Sequence, residues 1–373
     1  MCVSYVASKD ILYPIKFGIV LHSACDDPLY KDDEIGQIHD QAKSRCTLGA
    51  LILRITMANL TIAVLGENGY AKNLGKAGTA SDITFYNLKK GETTVTFIEP
   101  TRYPERIVSL FYAVSTAAGA LVVVDAITAQ FGECVLMLDS AGIEQGWLVL
   151  KNYLTREELA PLIKGTVVEH YTVIEDDPVA EREFFLSHAL GQLAPGTETG
   201  TVPVDHAFPV KGIGTVVLGD VAFGTIHKHD TLTVLPGGKS VQVRSIQKHD
   251  DDADTAVQGD RVGVALKNVE ADELTRGDVL TGDPNLLVRD EITGEARIVK
   301  YWPAALKEGM VLYLGHWMQF IPCRVTAVTD QGDWHTPTIT LSLDKPVIAR
   351  SGDRGVLCYL EGGKLRVTGT IPL

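Results

Sequence analysis

The chain has 373 residues, 45% of them hydrophobic and 22% charged, which is enough ordinary globular sequence for two or three domains. A formal net charge of -13 excludes a bulk electrostatic pull toward nucleic acid, so an RNA contact would need a local basic patch, and no DNA partner is expected. Six cysteines without a CxxC pair exclude zinc-site spacing and a disulfide scaffold, leaving a reduced, cytoplasmic protein with no metal site as the expectation.

Ile11 to His22 is partly apolar, but Pro14 and Lys16 interrupt it and it is too short to span a membrane. No signal-peptide cleavage site accompanies it, so no membrane partner is expected. Cys25 to Asp40 mixes acids, histidines and a proline without a steady period. Residues 1–56 therefore read as an extension outside the fold, with the native start at Met57; a poorly ordered N-terminal arm is the alternative.

From 57 to 192 strands and helices alternate. Leu60-Thr61-Ile62-Ala63-Val64-Leu65 is a short apolar run closed by Gly66, the mark of a buried strand feeding a loop. Thr93-Val95-Phe97-Ile98 predicts a strand. Ile107, Leu110, Phe111 and Val114 fall at helical spacing within Arg106 to Ala117, and Leu121–Val124 predicts another buried strand. A helix over Gln130–Leu138, a strand over Trp147–Leu150 and a helix over Ala180–Leu190 complete an α/β domain with a largely parallel sheet.

Leu193–Gly200 is a linker of Pro, Gly and Thr, and after it the helical pattern stops. Val202–Val204, Thr215–Val217, Thr231–Val234, Val241–Arg244 and Val262–Ala265 are short strands between Gly, Asp and Pro turns, as in a β-barrel. Asp283-Pro284-Asn285 marks another boundary, and a second all-β unit follows. The expected domains are 57–192, 197–285 and 290–373. At strand spacing, Trp302, Tyr313, Trp317, Phe320 and Trp334 read as core of the last domain in preference to an RNA platform.

The middle unit carries a resemblance. Val204-Asp205-His206-Ala207-Phe208, Lys211-Gly212-Ile213-Gly214-Thr215-Val216-Val217-Leu218-Gly219, Gln258-Gly259-Asp260-Arg261-Val262-Gly263-Val264 and Leu274-Thr275-Arg276-Gly277-Asp278-Val279 follow one another as in the second domain of translational GTPases. The chain resembles elongation factor Tu and the selenocysteine-specific factor SelB over 57–373, and within that family the archaeal SelB-like factors associated with pyrrolysine (the EF-Pyl type). The resemblance implies an α/β P-loop GTPase-like domain followed by two β-barrel domains.

It also implies nucleotide motifs, and these are degenerate. A P-loop needs G-x-x-x-x-G-K-[ST], because backbone N–H groups cradle phosphate, Lys neutralises it and the hydroxyl holds Mg²⁺. Here Gly66-Glu67-Asn68-Gly69-Tyr70-Ala71-Lys72-Asn73 keeps Gly66 and Lys72, while Ala71 replaces the second glycine and Asn73 the hydroxyl. A shifted register through Gly75-Lys76-Ala77 also lacks the hydroxyl. The motif Asp-x-Pro-Gly-His becomes Glu99-Pro100-Thr101-Arg102-Tyr103, without the glycine or the water-positioning histidine. The guanine-reading Asn-Lys-x-Asp becomes Leu150-Lys151-Asn152-Tyr153. Losing roughly three charge-assisted contacts at about 1.5–3 kcal/mol each removes about 4.5–9 kcal/mol. That is roughly three to six decades of affinity at about 1.4 kcal/mol per decade. No catalytic residue is expected, and GTP with Mg²⁺ is not a required cofactor.

The resemblance places aminoacyl-tRNA on the second domain, with Asp205, His206 and Arg261 at the aminoacyl end and Arg244 and Lys248 as cationic phosphate contacts. His206 stands where an arginine is usual, which suits a cargo less acidic than selenocysteine. His249–Asp254 would repel phosphate and reads as a solvated loop. The expected function is an elongation-factor-like protein that binds aminoacyl-tRNA with weak or absent GTP binding, and the ribosome is a further expected partner. The alternatives are an active GTPase with deviant motifs and a non-catalytic scaffold or regulator.

Overall fold

The computed structural model describes residues 59–189, 199–330, 332–362 and 365–373. The expected extension over 1–56, the start at Met57 and most of the Leu193–Gly200 linker lie outside the described residues.

The first sheet runs β2-β3-β4-β1-β5-β6-β7. Its strands are β1 (Asn59–Leu65), β2 (Lys76–Ala80), β3 (Thr84–Lys90), β4 (Thr93–Glu99), β5 (Gly119–Val124), β6 (Gly146–Leu150) and β7 (Thr172–Ile174). The five from β4 to β7 pair in parallel, and β2 and β3 add an antiparallel edge. Four helices interleave: α1 (Ile107–Ser115), α2 (Ala129–Ala141), α3 (Arg156–Ile163) and α4 (Pro178–Ala189). Along β1 the faces alternate. Ala63 and Leu65 pack with Leu110, Val114 and Phe131 of α1 and α2. Leu60, Ile62 and Val64 pack with Trp147 and with Phe185 of α4. Both faces are covered, which is why the strand reads as continuous apolar sequence rather than as an alternation. Side-chain caps start two of the helices: the Thr128 side chain accepts the Phe131 N–H, and Thr155 with Glu158 forms a capping box.

A closed barrel follows, built from β8 (Thr201–Val210), β9 (Gly214–Asp220), β11 (Thr231–Leu235), β12 (Lys239–Lys248), β13 (Asp251–Ala253), β15 (Arg261–Lys267) and β16 (Val279–Thr281), with β10 (Thr225–His227) and β14 (Thr255–Val257) forming a separate two-stranded ribbon. Its sheet runs β11-β16-β8-β9-β15-β12-β13, and pairing of β11 with β12 closes it. The last sheet, β17-β21-β20-β19-β22-β23-β18, comprises β17 (Leu287–Glu295), β18 (Arg297–Ile298), β19 (Val311–His316), β20 (Gln319–Thr329), β21 (Thr338–Ala349), β22 (Arg354–Cys358) and β23 (Val367–Pro372).

One local expectation is corrected in part. The acids Asp250, Asp251, Asp252 and Asp254 are exposed as expected, but the segment is a hairpin and not a loop: His249 and Asp250 have φ of 48° and 70°, a left-handed pair that turns β12 into β13. Asp251 then ion-pairs with Lys89 of β3. Burial, with help from Arg261 and Lys89, pushes the His249 pKa down to about 4. The expected aromatic core also divides. Trp302 is buried and stands edge-on to Tyr359, whereas Phe320 stacks on Tyr313 and reaches Phe111 of α1 at 5.5 Å between centroids.

Phe111 also explains a glycine. A Cβ on Gly315 in β19 would lie 2.5 Å from the Phe111 ring, so the last sheet and α1 meet without room for a methyl group. Beside this seam Arg366 grips Glu133 of α2, with Nε 2.9 Å from Oε1 and Nη2 2.5 Å from Oε2. Gly315→Val is expected to overpack the seam and cost about 1–3 kcal/mol. The urea midpoint reads this out; an unchanged midpoint would mean that the seam can part freely.

Candidate functional site

The nucleotide-motif residues converge at the C-terminal ends of β1, β4 and β6, the edge where ligands bind open α/β sheets. Gly66 leaves β1 with φ +99°, and a Cβ there would sit 2.0 Å from the Val123 carbonyl oxygen. The loop then becomes a four-residue 3₁₀ turn, Tyr70–Asn73, that leads straight into β2. A phosphate site of the P-loop kind ends on the N-terminus of a helix, whose dipole and free N–H groups favour an anion. The sequence from 70 to 90 forms a turn and a hairpin instead.

An anion already occupies the loop. Glu99, at the end of β4 and 5% exposed, accepts the Ala71 N–H at 2.8 Å, and the Gly69 N–H and Tyr86 hydroxyl also bond to it. Burial raises its pKa, and these donors with Lys72 oppose the rise. The carboxylate thus takes the backbone donors that a phosphate would need. Lys72 is exposed and folds back over the loop, with Nζ near the Gly69 Cα hydrogens, and Asn73 is exposed beside it.

Lys151 is committed elsewhere. Its Nζ lies 2.6 Å from Glu67 Oε2 and 3.5 Å from Asp176 Oδ2, and 5.0 Å from the centre of the Tyr70 ring. Burial pulls its pKa down, but the two carboxylates outweigh it and the pKa is raised. The Tyr70 hydroxyl stands 2.6 Å from Glu181 Oε1 and 2.9 Å from Asp176 Oδ1; burial and these carboxylates push its pKa well above the phenol range. Four carboxylates (Glu67, Glu99, Asp176, Glu181) therefore surround two lysines, a field that opposes a polyphosphate. Tyr153 is fully exposed, and both it and Asn152 adopt left-handed φ, at 62° and 53°.

The residues expected at the aminoacyl end sit between the first domain and the barrel. Asp205, 3% exposed, accepts from Arg261 Nη1 at 2.6 Å and lies 2.6 Å from His206 Nδ1. Burial alone would raise its pKa, but Arg261 and His206 hold it below the usual value. Arg261 Nη1 also lies 3.1 Å from Asp220, and its guanidinium covers the Phe85 ring of β3 at 3.5 Å. Lys248, at 8% exposure, is 3.0 Å from Asp260. Arg244 alone of this group is exposed, at a bulge in β12, donating to the Ile213 carbonyl.

A further residue completes this joint. Arg276 donates to Asp82 of the first domain at 2.6 Å, to the Asp205 carbonyl at 3.0 Å and toward Ser81, and stacks over Tyr112. In the sequence Arg276 stands only within the motif that carries the family resemblance. Its partners lie far away in sequence, so no local signal marks it.

Residues 214–281 match the family of elongation factor Tu domain 2. An uncharacterized protein of Methanocaldococcus jannaschii is 38% identical over 315 residues, spanning 84% of this chain and 99% of that protein. The selenocysteine-specific elongation factor of the same organism is 28% identical over 314 residues, spanning 77% of this chain but only 64% of its own length. Among solved structures, the translation elongation factor SelB of Methanococcus maripaludis in complex with the GTP analogue GppNHp superposes with a TM-score of 0.72 at 25% identity, over 85% of this chain and 79% of that one. Among the described residues no helix is long and apolar enough to cross a membrane, and no group of His, Cys, Asp and Glu is placed to hold a metal ion.

Proposed function

Because the chain belongs to the SelB-like branch of the elongation factor Tu family, we propose that it is a cytoplasmic translation factor that binds aminoacyl-tRNA with its nucleotide site closed by its own side chains. The observation that carries the closed site is Glu99, seated on the loop N–H groups that would otherwise receive phosphate. Lys151, bound by Glu67 and Asp176, supports the same reading on the base side. Hydrolysis by the family route has no support, since Tyr103 is buried with its hydroxyl donating to the Gln130 carbonyl and is held protonated by burial. Arg244 and the face of β12 around it are the exposed cationic feature on which a tRNA acceptor end is proposed to rest. The ribosome is proposed as the further partner.

Equilibrium titration with fluorescent GTP and GDP, with and without Mg²⁺, is expected to give no saturable signal up to hundreds of micromolar nucleotide, roughly −5 kcal/mol or weaker. Micromolar, magnesium-dependent binding would defeat the closed-site reading. The scaffold reading is favoured by one finding: Arg261, His206 and Lys248 are spent on contacts inside the protein. Protection of aminoacyl esters across a panel of charged tRNAs separates the two. Slower ester hydrolysis in the presence of the protein supports cargo binding, and unchanged hydrolysis across the panel leaves the scaffold.

A further inference from the structure

Tyr70 has more contacts than its one proton can serve. Its hydroxyl lies 2.6 Å from Glu181 Oε1 and 2.9 Å from Asp176 Oδ1. An ionised carboxyl only accepts, and a phenol has a single O–H to give. Burial and the two acids hold that phenol protonated. With both acids ionised, one contact would set an anionic oxygen against a phenol lone pair at hydrogen-bond distance. A second proton removes the conflict: one carboxyl donates to the Tyr70 oxygen, and Tyr70 donates to the other.

The two carboxyls differ in their other partners. Asp176 Oδ2 lies 3.5 Å from Lys151 Nζ, so a cation stands beside its charge. Glu181 lies in α4, is 3% exposed and ion-pairs with no cation among the described residues. Its Oε2 has no hydrogen-bond partner. A buried carboxylate without a cation is costly, so the second proton belongs on Glu181. Burial raises the Glu181 pKa; the Tyr70 hydroxyl and the Asp177 N–H oppose the rise, and the charges of Asp176 and Asp177 add to it.

The strands that α4 covers, β1 and β4, meet it with Ile62, Val64, Val95 and Phe97, none of them titratable. Charged groups stand at the ends of the neighbouring elements: Glu67 after β1, Glu99 closing β4, Lys151 after β6 and Lys72 on the turn. Arg182 of α4 donates to the Asn73 carbonyl at 3.4 Å, a tie that does not involve this proton. With Glu181 neutral, Glu67, Glu99 and Asp176 still outnumber Lys72 and Lys151, so the field around the loop keeps its sign.

We propose that Glu181 and Tyr70 form a proton-held latch that fixes the Tyr70–Asn73 turn against α4. Glu181 Oε1–H donates to the Tyr70 oxygen, and the Tyr70 O–H donates to Asp176. The chain is closed while Glu181 holds its proton and broken once that proton leaves. Because folding raises the Glu181 pKa, the latch contributes fully at acidic pH and is lost as pH rises through the folded-state value. The turn whose Ala71 N–H binds Glu99 is thus held in place by a proton. The latch is built from the turn and α4 alone, so it stands or falls apart from the nucleotide and tRNA readings.

Comparison of the full-length wild type with Glu181→Gln tests it, because the glutamine amide offers Tyr70 a donor that no change of pH removes. Infrared difference spectra at pH 5 are expected to show a protonated carboxyl C=O band in the wild type that Glu181→Gln lacks. Amide hydrogen exchange over residues 69–75, compared at each pH, is expected to match between the two proteins at pH 5. At pH 9 the wild type is expected to exchange about tenfold faster, the scale of one hydrogen bond. Should Glu181→Gln fail to fold, Tyr70→Phe decides, since the band must shift in frequency once its phenol acceptor is gone. A band common to wild type and Glu181→Gln, or unmoved in Tyr70→Phe, overturns the proposal. So does an exchange ratio that is the same at the two pH values.

Discussion

Arg261→Leu is expected to be among the most damaging single substitutions in this chain, lowering stability by about 3–5 kcal/mol at pH 7.5, the usual cost of removing one partner of a buried ion pair. Its guanidinium is shared between Asp205 and Asp220 and covers Phe85, so its loss strands two buried carboxylates and uncovers a ring on the first domain. Leucine replaces the volume but neither the charge nor the planar fork. Arg261→Lys keeps the charge without the fork and is expected to fall between the two.

The pH dependence gives an independent check. In the wild type burial lifts Asp220 to about 6, above its ordinary value of 3.8, so the folded state binds the extra proton between these pH values. That favours the folded state as pH falls through the window. Removing Arg261 removes what opposes the rise, so the carboxylates of the variant should take up protons at higher pH still. The deficit is therefore expected to be largest at pH 7.5 and to shrink by pH 5. Urea midpoints at the two pH values, compared between variant and wild type, measure it. A deficit that is absent, or that grows on acidification, would mean that the buried carboxylates do not set the energetics of this joint.

Glu99→Ala is the second large effect. It leaves the Ala71 N–H without its acceptor and also removes a partner of Gly69 and Tyr86. At about 1–3 kcal/mol per stranded buried donor, a loss of roughly 2–5 kcal/mol is expected. Glu99→Gln keeps an acceptor oxygen and sheds a buried charge whose pKa burial raises, so its cost should be far smaller. The alanine variant carries a second readout: with the cradle vacant, sulfate or phosphate should raise its thermal midpoint but leave the wild type unmoved. Equal stabilities of the alanine and glutamine variants would show that the loop does not depend on this carboxylate.

Much of the fold was legible because its signals are local. The runs Leu60–Leu65, Leu121–Val124 and Trp147–Leu150 become β1, β5 and β6, and the 3.6-residue spacing of Ile107, Leu110, Phe111 and Val114 becomes α1. The barrel strands fall where Gly and Asp turns delimit them. Lys76–Lys90 was not legible: its residues give no clear strand alternation, and β2 and β3 are held at the sheet edge by pairing through β4. The erosion of the nucleotide motifs could be read one position at a time. Their replacement could not, because Glu99 meets Ala71 across 28 residues and Lys151 meets Glu67 across 84. The same holds for Asp205, His206 and Arg261. The sequence marks them as polar positions on a barrel, and only contacts reaching Asp82 and Phe85 set them in a joint.

The tight approach of Gly315 to Phe111, together with the grip of Arg366 on Glu133, bears on how the polypeptide can be cut. Excising the α/β portion would leave Arg366 and Arg276 facing solvent without their acids and would bare the flat strip around Gly315 and Phe320. A fragment beginning near residue 199 would thus carry a sticky apolar face beside unneutralised guanidinium groups. Expressed alone it should self-associate, and supplying the missing half in trans should restore its solubility.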